Sequence, residues 1–300
     1  EEPPGPRATR ELVSRLHDIV DLATVDVVHD NGGFFPALLP LSEQLRARCA
    51  APYLLQLQIQ WGPLLHIEGF DAATIARRVA GQRTLAALAD RVVVLSEDEA
   101  AEAQHTLDVS PDKLRCVPNP IVPARYSALP PRVPRDVPVI GLGGRLDARS
   151  KGADIAMEAL ARLAGEQHFR VKLLGRAPAM PLPEALAGRV HHTGWLDEAA
   201  TPAALTDCDL FLVPSRYEPF GLLAAEALAA GTPVIVARTG GLHEIVSHGA
   251  TGLTVPPAEG VAGWHNALRD FFAARARHRA WAQAGRVRVL RDFAVNEIAG

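Results

Sequence analysis

Two cations follow a run of glycines in the second half of the chain. The run is Gly141-Leu142-Gly143-Gly144, with Arg145 directly after it and Lys151 a short way further on. A diphosphate needs positive charge and a close approach of the backbone, and this combination offers both. Leu146 stands where a dinucleotide fingerprint has its last glycine, and no Lys-Ser or Lys-Thr pair follows, so the two common phosphate motifs are excluded. Taken alone, the run is better explained as an ordinary turn with two solvated cations.

Two glutamates, Glu218 and Glu226, lie on either side of the start of a predicted helix. The first amides of that helix and its dipole attract phosphate. A carboxylate in the loop and another on the helix could then bind hydroxyls on either side of the phosphate. The alternative is that both are exposed surface glutamates. Because Glu226 has alanine and leucine neighbours, among which an unpaired carboxylate is costly, we favour a functional role. The amides belong to Phe220, Gly221, Leu222 and Leu223.

Three further positions could contact a ligand, although each also has an ordinary explanation. Gly240 and Gly241 follow a predicted strand and allow a ligand close to the backbone, but turns from strand to helix use glycine routinely. His29 ends the β-branched run 25–28, where a ligand contact and a structural hydrogen bond are about equally consistent. The pair His191-His192 has no acidic or cysteine partner nearby, so we interpret it as a solvated turn. The sequence predicts no metal site.

Arginines are concentrated near the end of the chain. We interpret them as a solvated helix face, with weak peripheral attraction to an anionic membrane as the lesser alternative. They are Arg275, Arg277, Arg279, Arg286, Arg288 and Arg291.

The elements that must position these residues alternate along the chain. Short apolar strands followed by amphipathic helices predict an α/β fold with parallel, doubly wound sheets. Ligands of such sheets bind at the carboxyl ends of the strands. We also expect Ser96 to cap a helix, with Glu99 as its capping-box partner. The predicted strands are 25–28, 53–59, 91–95, 114–117, 137–142, 170–174, 209–213 and 233–237, and the predicted helices are 75–89, 155–163 and 222–229.

Prolines divide the chain into two parts. Seven of them fall between positions 118 and 138, where locked φ angles and missing donors exclude the interior of a sheet. We therefore expect two domains, at 1–117 and 137–300, joined by a linker at 118–136.

Composition excludes several classes of protein. The formal net charge of −3 gives no reason to expect a nucleic-acid partner. Apolar runs such as Val92–Leu95 are too short to cross a bilayer, and no signal peptide is visible. Cys49, Cys116 and Cys208 are far apart and odd in number, which predicts a reduced, cytoplasmic protein without disulfides.

Together these motifs resemble glycosyltransferases of the family 4 type. The resemblance is strongest between residues 139 and 257, in Gly-Gly-Arg-Leu, Pro-Ser-Arg-Tyr-Glu-Pro-Phe-Gly, Gly-Gly-Leu-His-Glu and Thr-Gly-Leu-Thr-Val-Pro-Pro. It implies the GT-B fold, with two Rossmann-like domains whose parallel sheets face each other across a cleft. It also implies retaining, metal-independent transfer from a UDP-sugar or GDP-sugar, without another cofactor. The acceptor, whether glycan, lipid or small molecule, is left open.

The resemblance assigns a role to each matching residue. Arg145 and Lys151 would bind the donor diphosphate together with Gly143 and Gly144, and the amides of residues 220–223 would complete that contact. Glu226 would hold the ribose hydroxyls, Trp195 would lie near the base, and Glu218 would contact the donor sugar. The groups expected to act in catalysis are Glu218, Arg145 and Lys151.

The chain departs from the family pattern at three places. Gln58 stands where family members usually have a histidine near the donor sugar, and it could bind a hydroxyl but not take up a proton. The family's opening strand has no counterpart before Glu1, and a further helix is expected after Gly300. We therefore expect an incomplete N-terminal domain and low transfer activity for this chain.

Two other functions stay open. One is a sugar-nucleotide-binding subunit of GT-B fold without turnover, which Gln58 favours. The other is a GT-B epimerase or phosphorylase. Release of nucleotide in the absence of an acceptor would separate an epimerase from a transferase.

Overall fold

The computed structural model describes residues 11, 15, 20–31, 39–129 and 135–298. The chain divides into two compact units, residues 1–117 and 118–300. Each unit contains a parallel sheet with helices in its crossover connections, as the alternation of strands and helices predicts.

The sheet of the first unit has the strand order β1-β2-β3-β4 in the described residues. Leu55 of β2 pairs with Val92 of β3, and both side chains are fully buried among the helices. Ser96 is confirmed as a helix cap, because its hydroxyl accepts a hydrogen bond from the Glu99 amide at 3.3 Å. The elements are β1 Val28–Asp30, α1 Leu39–Arg48, β2 Tyr53–Gln56, α2 Trp61–Glu68, α3 Ala72–Leu88, β3 Arg91–Val94, α4 Glu97–Leu107 and β4 Leu114–Cys116.

The sheet of the second unit has the order β10-β9-β8-β5-β6-β7 in the described residues. Its central strands β8 and β9 are buried along their whole length, which is typical of parallel strands covered on both faces. The elements are β5 Val139–Arg145, α5 Ala153–Leu163, β6 Arg170–Arg176, β7 Val190–Gly194, α6 Thr201–Thr206, β8 Leu210–Val213, α7 Leu222–Ala229, β9 Val234–Ala237, α8 Leu242–Ile245, β10 Leu253–Val255, α9 Gly260–Ala273, α10 Arg275–Asp292 and α11 Val295–Ile298.

Each predicted strand is found, with ends displaced by up to three residues, but two local predictions are wrong. The glycine run is not a turn, because β5 continues through it to Arg145, which pairs with Arg176 of β6. His191-His192 is not a turn either. It lies on the edge strand β7, and a ring nitrogen of His192 is 2.7 Å from the carbonyl oxygen of Gly175.

Residues 118–129, the first part of the expected linker, belong to the second unit. Ile121 forms a parallel bridge with Ala294, and its amide donates to the Phe293 carbonyl at 2.7 Å. A single 3-10 turn follows over Pro123–Tyr126 and buries the Tyr126 side chain. This segment is therefore attached to the chain that follows α10.

The arginines of α10 are not simply a solvated face. Arg286 donates to two backbone carbonyls, and Arg288 donates to the carbonyls of Glu244 and Ile245. Arg277 pairs with Asp270 of α9. Because a guanidinium has five donors at the end of a long apolar stem, it can satisfy carbonyls at helix ends while its stem packs. These arginines attach α10 to the rest of the unit.

In the described part of the chain, no helix has both the length and the apolar character needed to span a membrane.

Candidate functional site

An ion pair forms the centre of the site. The Nζ atom of Lys151 lies 2.8 Å from Oε2 of Glu218, and the Ser215 hydroxyl donates to the same oxygen at 3.0 Å. The Lys151 and Glu218 side chains are 26% and 14% exposed, so the pair is partly shielded from water. Residues 67 positions apart in sequence thus meet where β5 and β8 end.

Arg216 fixes the turn that carries Lys151. Its backbone amide donates to the Ser150 carbonyl at 2.7 Å, and its guanidinium donates to the Arg149 carbonyl at 2.8 Å. The guanidinium also forms a bidentate pair with Asp154 at the start of α5, with both distances 2.7 Å. Arg216 lies between Ser215 and Glu218 in the sequence. It therefore connects the loop that carries these two residues to the turn Arg149–Lys151.

Gly152 allows this approach. Its φ of +64° is left-handed, and a Cβ atom at this position would overlap the carbonyl oxygen of Pro214. A side chain would therefore push the lysine turn away from the end of β8.

Gly152→Ala should lower the thermal stability more than Gly188→Ala. Both glycines have left-handed φ, at +64° and +70°, which costs a substituted residue about 1–2 kcal/mol. Only Gly152 also faces backbone, because a Cβ at 188 would have nothing within 4 Å. Melting temperatures of the two variants, measured with the wild type, check this. Equal losses would show that the Pro214 contact can relax.

A cavity of about 170 Å³ opens beside the ion pair. Gly143 and Gly144 form one wall. A Cβ on Gly143 would approach Leu223 to 2.7 Å, whereas one on Gly144 would meet no atom within 4 Å, so Gly144 presents bare backbone. The lining residues are Gly143, Gly144, Lys151, Val213, Pro214, Ser215, Glu218, Leu222 and Leu223.

The N-terminus of α7 forms the opposite wall. Gly221 precedes the helix with φ +105°, and its carbonyl accepts the amides of Ala224 and Ala225. The amides at the start of a helix have no acceptor within the helix. Those of Leu222 and Leu223 are at this start, and both residues line the cavity. Phe220 is buried and packs edge-on against Phe293 at 5.5 Å, which fixes the turn before the helix.

Gly240 and Gly241 support the same loop from behind. A Cβ on Gly240 would overlap the Glu218 carbonyl oxygen, and one on Gly241 would approach the Phe220 carbonyl to 2.6 Å. The Gly241 amide donates to the Glu218 carbonyl at 3.1 Å. The close approach that these glycines permit is to the chain's own backbone.

Glu226 lies one turn further along α7 and is partly buried. Burial raises the pKa of its carboxyl, and the nearby Tyr126 hydroxyl opposes that shift. Arg125 and Glu198, paired with each other, are the charged groups that act on it. Glu226 is therefore a half-buried carboxylate near the Tyr126 hydroxyl.

Two predicted positions of the second unit, Arg145 and Trp195, are not among the residues that line the cavity. Arg145 ends β5 and is exposed, outside the cavity lining, and Trp195 follows β7 with 68% of its surface exposed. In the first unit, a ring nitrogen of His29 lies 2.9 Å from Oε1 of Gln56, and the Gln58 amide donates to Asn31 at 3.2 Å. Both residues are at the carboxyl ends of neighbouring strands.

Sequence reasoning missed Ser215, Arg216 and Tyr126. The signal for Ser215 is its spacing of three residues from Glu218, which favours a hydrogen bond within the loop. For Arg216 and Tyr126 no local pattern exists, because their partners lie far away in sequence.

A larger cavity, about 630 Å³, lies elsewhere in the second unit. Its walls include Arg238, His248, Glu259 and Asp270, and Asp270 already pairs with Arg277 and His278. The charged side chains that line this cavity include both acidic and basic groups, so the cavity does not favour an anion. The smaller cavity is lined by a lysine, by the N-terminus of a helix and by glycine backbone. It is therefore the better candidate for an anionic ligand.

Two family models match the chain. One, described as glycosyl transferases group 1, matches residues 137–273. The other, described as a glycosyl transferase 4-like domain, matches residues 1–120.

Curated relatives align with most of the chain. The 2-deoxystreptamine glucosyltransferase of Streptomyces kanamyceticus is 33% identical over 234 residues, which are 75% of this chain and 59% of that protein. The D-inositol 3-phosphate glycosyltransferase of Xylanimonas cellulosilytica is 33% identical over 248 residues, 74% of this chain and 58% of that protein. The glycogen synthase of Mycobacterium tuberculosis is 43% identical over 100 residues, 33% of this chain and 24% of that protein. The chain thus spans less than two thirds of each of these relatives.

Solved structures share the fold. The sucrose-phosphate synthase of Thermosynechococcus elongatus superposes with a TM-score of 0.81 at 26% identity, covering 98% of this chain and 76% of that chain. HepE of Anabaena in complex with UDP-glucose gives a TM-score of 0.78 at 21% identity, covering 97% and 79%. The latter likeness concerns the fold alone.

Proposed function

Because the chain belongs to the glycosyltransferases of the family 4 type with the GT-B fold, we propose that it transfers a sugar from a nucleoside-diphosphate sugar to an acceptor hydroxyl. One observation carries the proposal. The Lys151 ammonium, paired with Glu218, faces a glycine-walled cavity at the N-terminus of α7. A cation, free helix amides and bare backbone together suit a diphosphate.

In this proposal the diphosphate lies in the small cavity. Lys151 and the amides of Leu222 and Leu223 bind its oxygens, and the exposed Arg145 side chain reaches in from the end of β5. Glu218 then exchanges its lysine partner for the hydroxyls of the donor sugar. Glu226 accepts the ribose hydroxyls one helical turn away, and Trp195 lies on the side of the base.

We propose retention and metal independence as the mechanism. A departing nucleoside diphosphate gains negative charge in the transition state, and fixed cations and amides stabilise that charge without a metal. Arg216 donates hydrogen bonds to the turn that carries Lys151 and so fixes its position. The lysine therefore needs little reorganisation to stabilise the departing diphosphate. Transfer that survives chelation of divalent cations by EDTA supports this part, and loss of transfer in EDTA contradicts it.

For the acceptor we favour a small polyhydroxylated molecule. Two relatives that align over about three quarters of this chain are named for 2-deoxystreptamine and D-inositol 3-phosphate. The glycogen synthase aligns over only a third of it, so it says less about the first unit. A cytoplasmic location stays a prediction from the three free cysteines.

Thermal-shift titrations test the donor class. UDP-glucose, the sugar nucleotide of the Anabaena structure, and GDP-mannose serve as donors, with NAD as the comparison. We expect at least one sugar nucleotide to raise the melting temperature more than NAD at equal concentration. Stronger stabilisation by NAD would overturn the proposal. Release of nucleotide with and without candidate acceptors then separates a transferase from an epimerase.

A binding subunit without turnover is the second candidate, and Gln58 favours it. Its amide donates to Asn31, so it is held at the carboxyl end of β2 as a neutral group. If UDP-glucose binds but no acceptor ever yields product, Gln58→His is the variant to assay. Transfer gained by that variant alone would establish this second function for the natural chain.

Nucleoside diphosphate should bind less tightly as the pH falls through the pKa of Glu226. Burial holds that pKa above its ordinary value, so protonation begins at a higher pH than for an exposed glutamate. A protonated carboxyl accepts ribose hydroxyls less strongly than a carboxylate. Calorimetric titrations of UDP from neutral pH to about pH 5 check this in the wild type and in Glu226→Gln. In Glu226→Gln the titration of the UDP diphosphate still changes the affinity with pH, so this variant is the control. If the affinity of the wild type and that of the variant fall in parallel as the pH is lowered, the prediction is contradicted.

A further inference from the structure

We propose that Ser215 is a positioning residue for Glu218, and that its hydroxyl keeps the carboxylate oriented toward the donor sugar after the diphosphate has taken Lys151 from it. This role rests on the proposed function, in which Lys151 binds the diphosphate and Glu218 contacts the sugar. The Ser215 hydroxyl itself touches neither ligand group and acts through the carboxylate.

The two partners of the Glu218 carboxylate meet the same oxygen atom. The Lys151 ammonium lies 2.8 Å from Oε2, and the Ser215 hydroxyl donates to Oε2 at 3.0 Å. Within the described part of the chain, no group hydrogen bonds to the other oxygen, Oε1. Because Glu218 lines the small cavity, Oε1 is the oxygen available to a ligand there.

A diphosphate affects these two partners differently. Phosphate oxygens attract the ammonium strongly, so the bound donor draws Lys151 away from Oε2. The Ser215 hydroxyl carries no charge, and the residue is only 2% exposed, so a diphosphate competes for it far less. The last torsion of a glutamate side chain has broad minima, and one hydrogen bond then decides which oxygen faces the ligand. Ser215 keeps Oε2 in place and leaves Oε1 for the sugar hydroxyls.

The backbone on both sides of Ser215 is fixed. Before it, the Pro214 carbonyl oxygen packs so closely on Gly152 that a Cβ atom there would overlap it. After it, the Arg216 amide donates to the Ser150 carbonyl at 2.7 Å. Because backbone atoms make these contacts, the Ser215 hydroxyl stays in place when the lysine side chain moves.

The backbone of Glu218 is fixed as well. The Gly241 amide donates to its carbonyl at 3.1 Å, and a Cβ atom on Gly240 would overlap the same carbonyl oxygen. With both backbones held, the hydrogen bond from Ser215 determines only the side-chain torsions of Glu218. Its loss should therefore change the direction of the carboxylate and leave the loop where it is.

Ser215→Ala removes the hydroxyl with little change in volume. The probe is UDP-glucose or GDP-mannose, whichever stabilises the chain more in the thermal-shift titrations, and it is titrated calorimetrically beside its own nucleoside diphosphate. The ratio of the two affinities measures the contacts of the sugar. We expect this ratio to fall about tenfold in Ser215→Ala, because a hydrogen bond to a charged group is lost, while the affinity for the nucleoside diphosphate changes little.

Two further variants separate positioning from stability. Ser215→Cys keeps a weaker donor, so it should give an intermediate ratio, and it carries the comparison where Ser215→Ala does not fold. Thr232→Val is the matched control. Thr232 is also buried and donates to a carbonyl, that of Leu205 at 2.7 Å, but it lies outside the cavity lining. Its replacement should lower the melting temperature and leave the ratio unchanged.

A wild-type ratio in both Ser215 variants, with a ratio that Glu218→Gln does lower, would overturn this role for Ser215 alone. Equal losses in Ser215→Ala and Thr232→Val would do the same, because the ratio would then follow stability. Failure of both sugar nucleotides to bind the wild type would overturn the proposed function and the role of Ser215 with it.

Discussion

Lys151→Met should lower the affinity for a sugar nucleotide by about a hundredfold, because it removes a charge-assisted hydrogen bond to the diphosphate. The Nζ atom is already fixed beside the cavity, 2.8 Å from Glu218. Lys151→Arg should restore little of the loss. A guanidinium is a broad fork rather than a compact point charge, and the Gly152 contact with Pro214 prevents the backbone from moving back to make room. Calorimetric titration of UDP-glucose measures both effects.

Lys172 offers a matched control. It is one of only three lysines beside 28 arginines, and its Nζ pairs with Asp207 at 2.6 Å with 17% of the side chain exposed. It lies on β6, outside the cavity lining. Lys172→Met and Lys172→Arg should therefore leave the affinity for UDP-glucose unchanged, although Lys172→Met should lower stability. Wild-type affinity in Lys151→Arg would show that a compact ammonium is not required at that position.

The strands and helices of the second unit followed from sequence where burial leaves a simple pattern. Strands β8 and β9 are continuous apolar runs because helices cover both faces, and α7 was predicted with its observed bounds, Leu222–Ala229. Gly231, with φ +73°, follows the C-cap residue Ala230 in the left-handed conformation in which helices commonly end. The edge strand β7 was missed because its residues Val190–Gly194 are largely polar and partly exposed.

Glycine and arginine misled the sequence analysis for physical reasons. Gly143 and Gly144 suggested a turn, but they lie within β5, where Leu223 and Phe211 leave no room for a Cβ on Gly143. The arginines of α10 suggested a solvated face. Composition does not reveal that a guanidinium reaches carbonyls 40 or more residues away, as Arg288 does with Glu244.

In the candidate site, too, the residues close together in sequence could be predicted, and the contacts between distant segments could not. Glu218 and Glu226 lie on either side of the start of one helix, so their spacing carried the prediction of a phosphate and hydroxyl site. The proximity of Tyr126 to Glu226 could not be predicted, because Tyr126 is a hundred positions earlier in the sequence and lies in the proline-rich segment.

Glu218→Gln should separate transfer from nucleotide binding, because we expect it to slow transfer without weakening the binding of UDP. In the wild type the Glu218 carboxylate holds Lys151 and receives the Ser215 hydroxyl, so a diphosphate must compete for the lysine. A neutral amide competes less and does not repel the phosphates, and we expect UDP to bind as tightly as in the wild type or tighter. Transfer should fall on the order of a hundredfold, because the sugar loses a charged acceptor that acts in the transition state. UDP titration and turnover with an accepted substrate measure the two quantities.

The control for Glu218→Gln is Glu166→Gln. Glu166 also lies close to basic side chains in the second unit, His265 at 2.9 Å and Arg269 at 3.2 Å, but it is outside the cavity lining. It should alter neither UDP affinity nor turnover. If Glu218→Gln instead weakens UDP binding as much as it slows transfer, then Glu218 acts on the diphosphate through Lys151 and not on the sugar. In that case the Glu218 carboxylate would position Lys151, and another residue would have to contact the donor sugar.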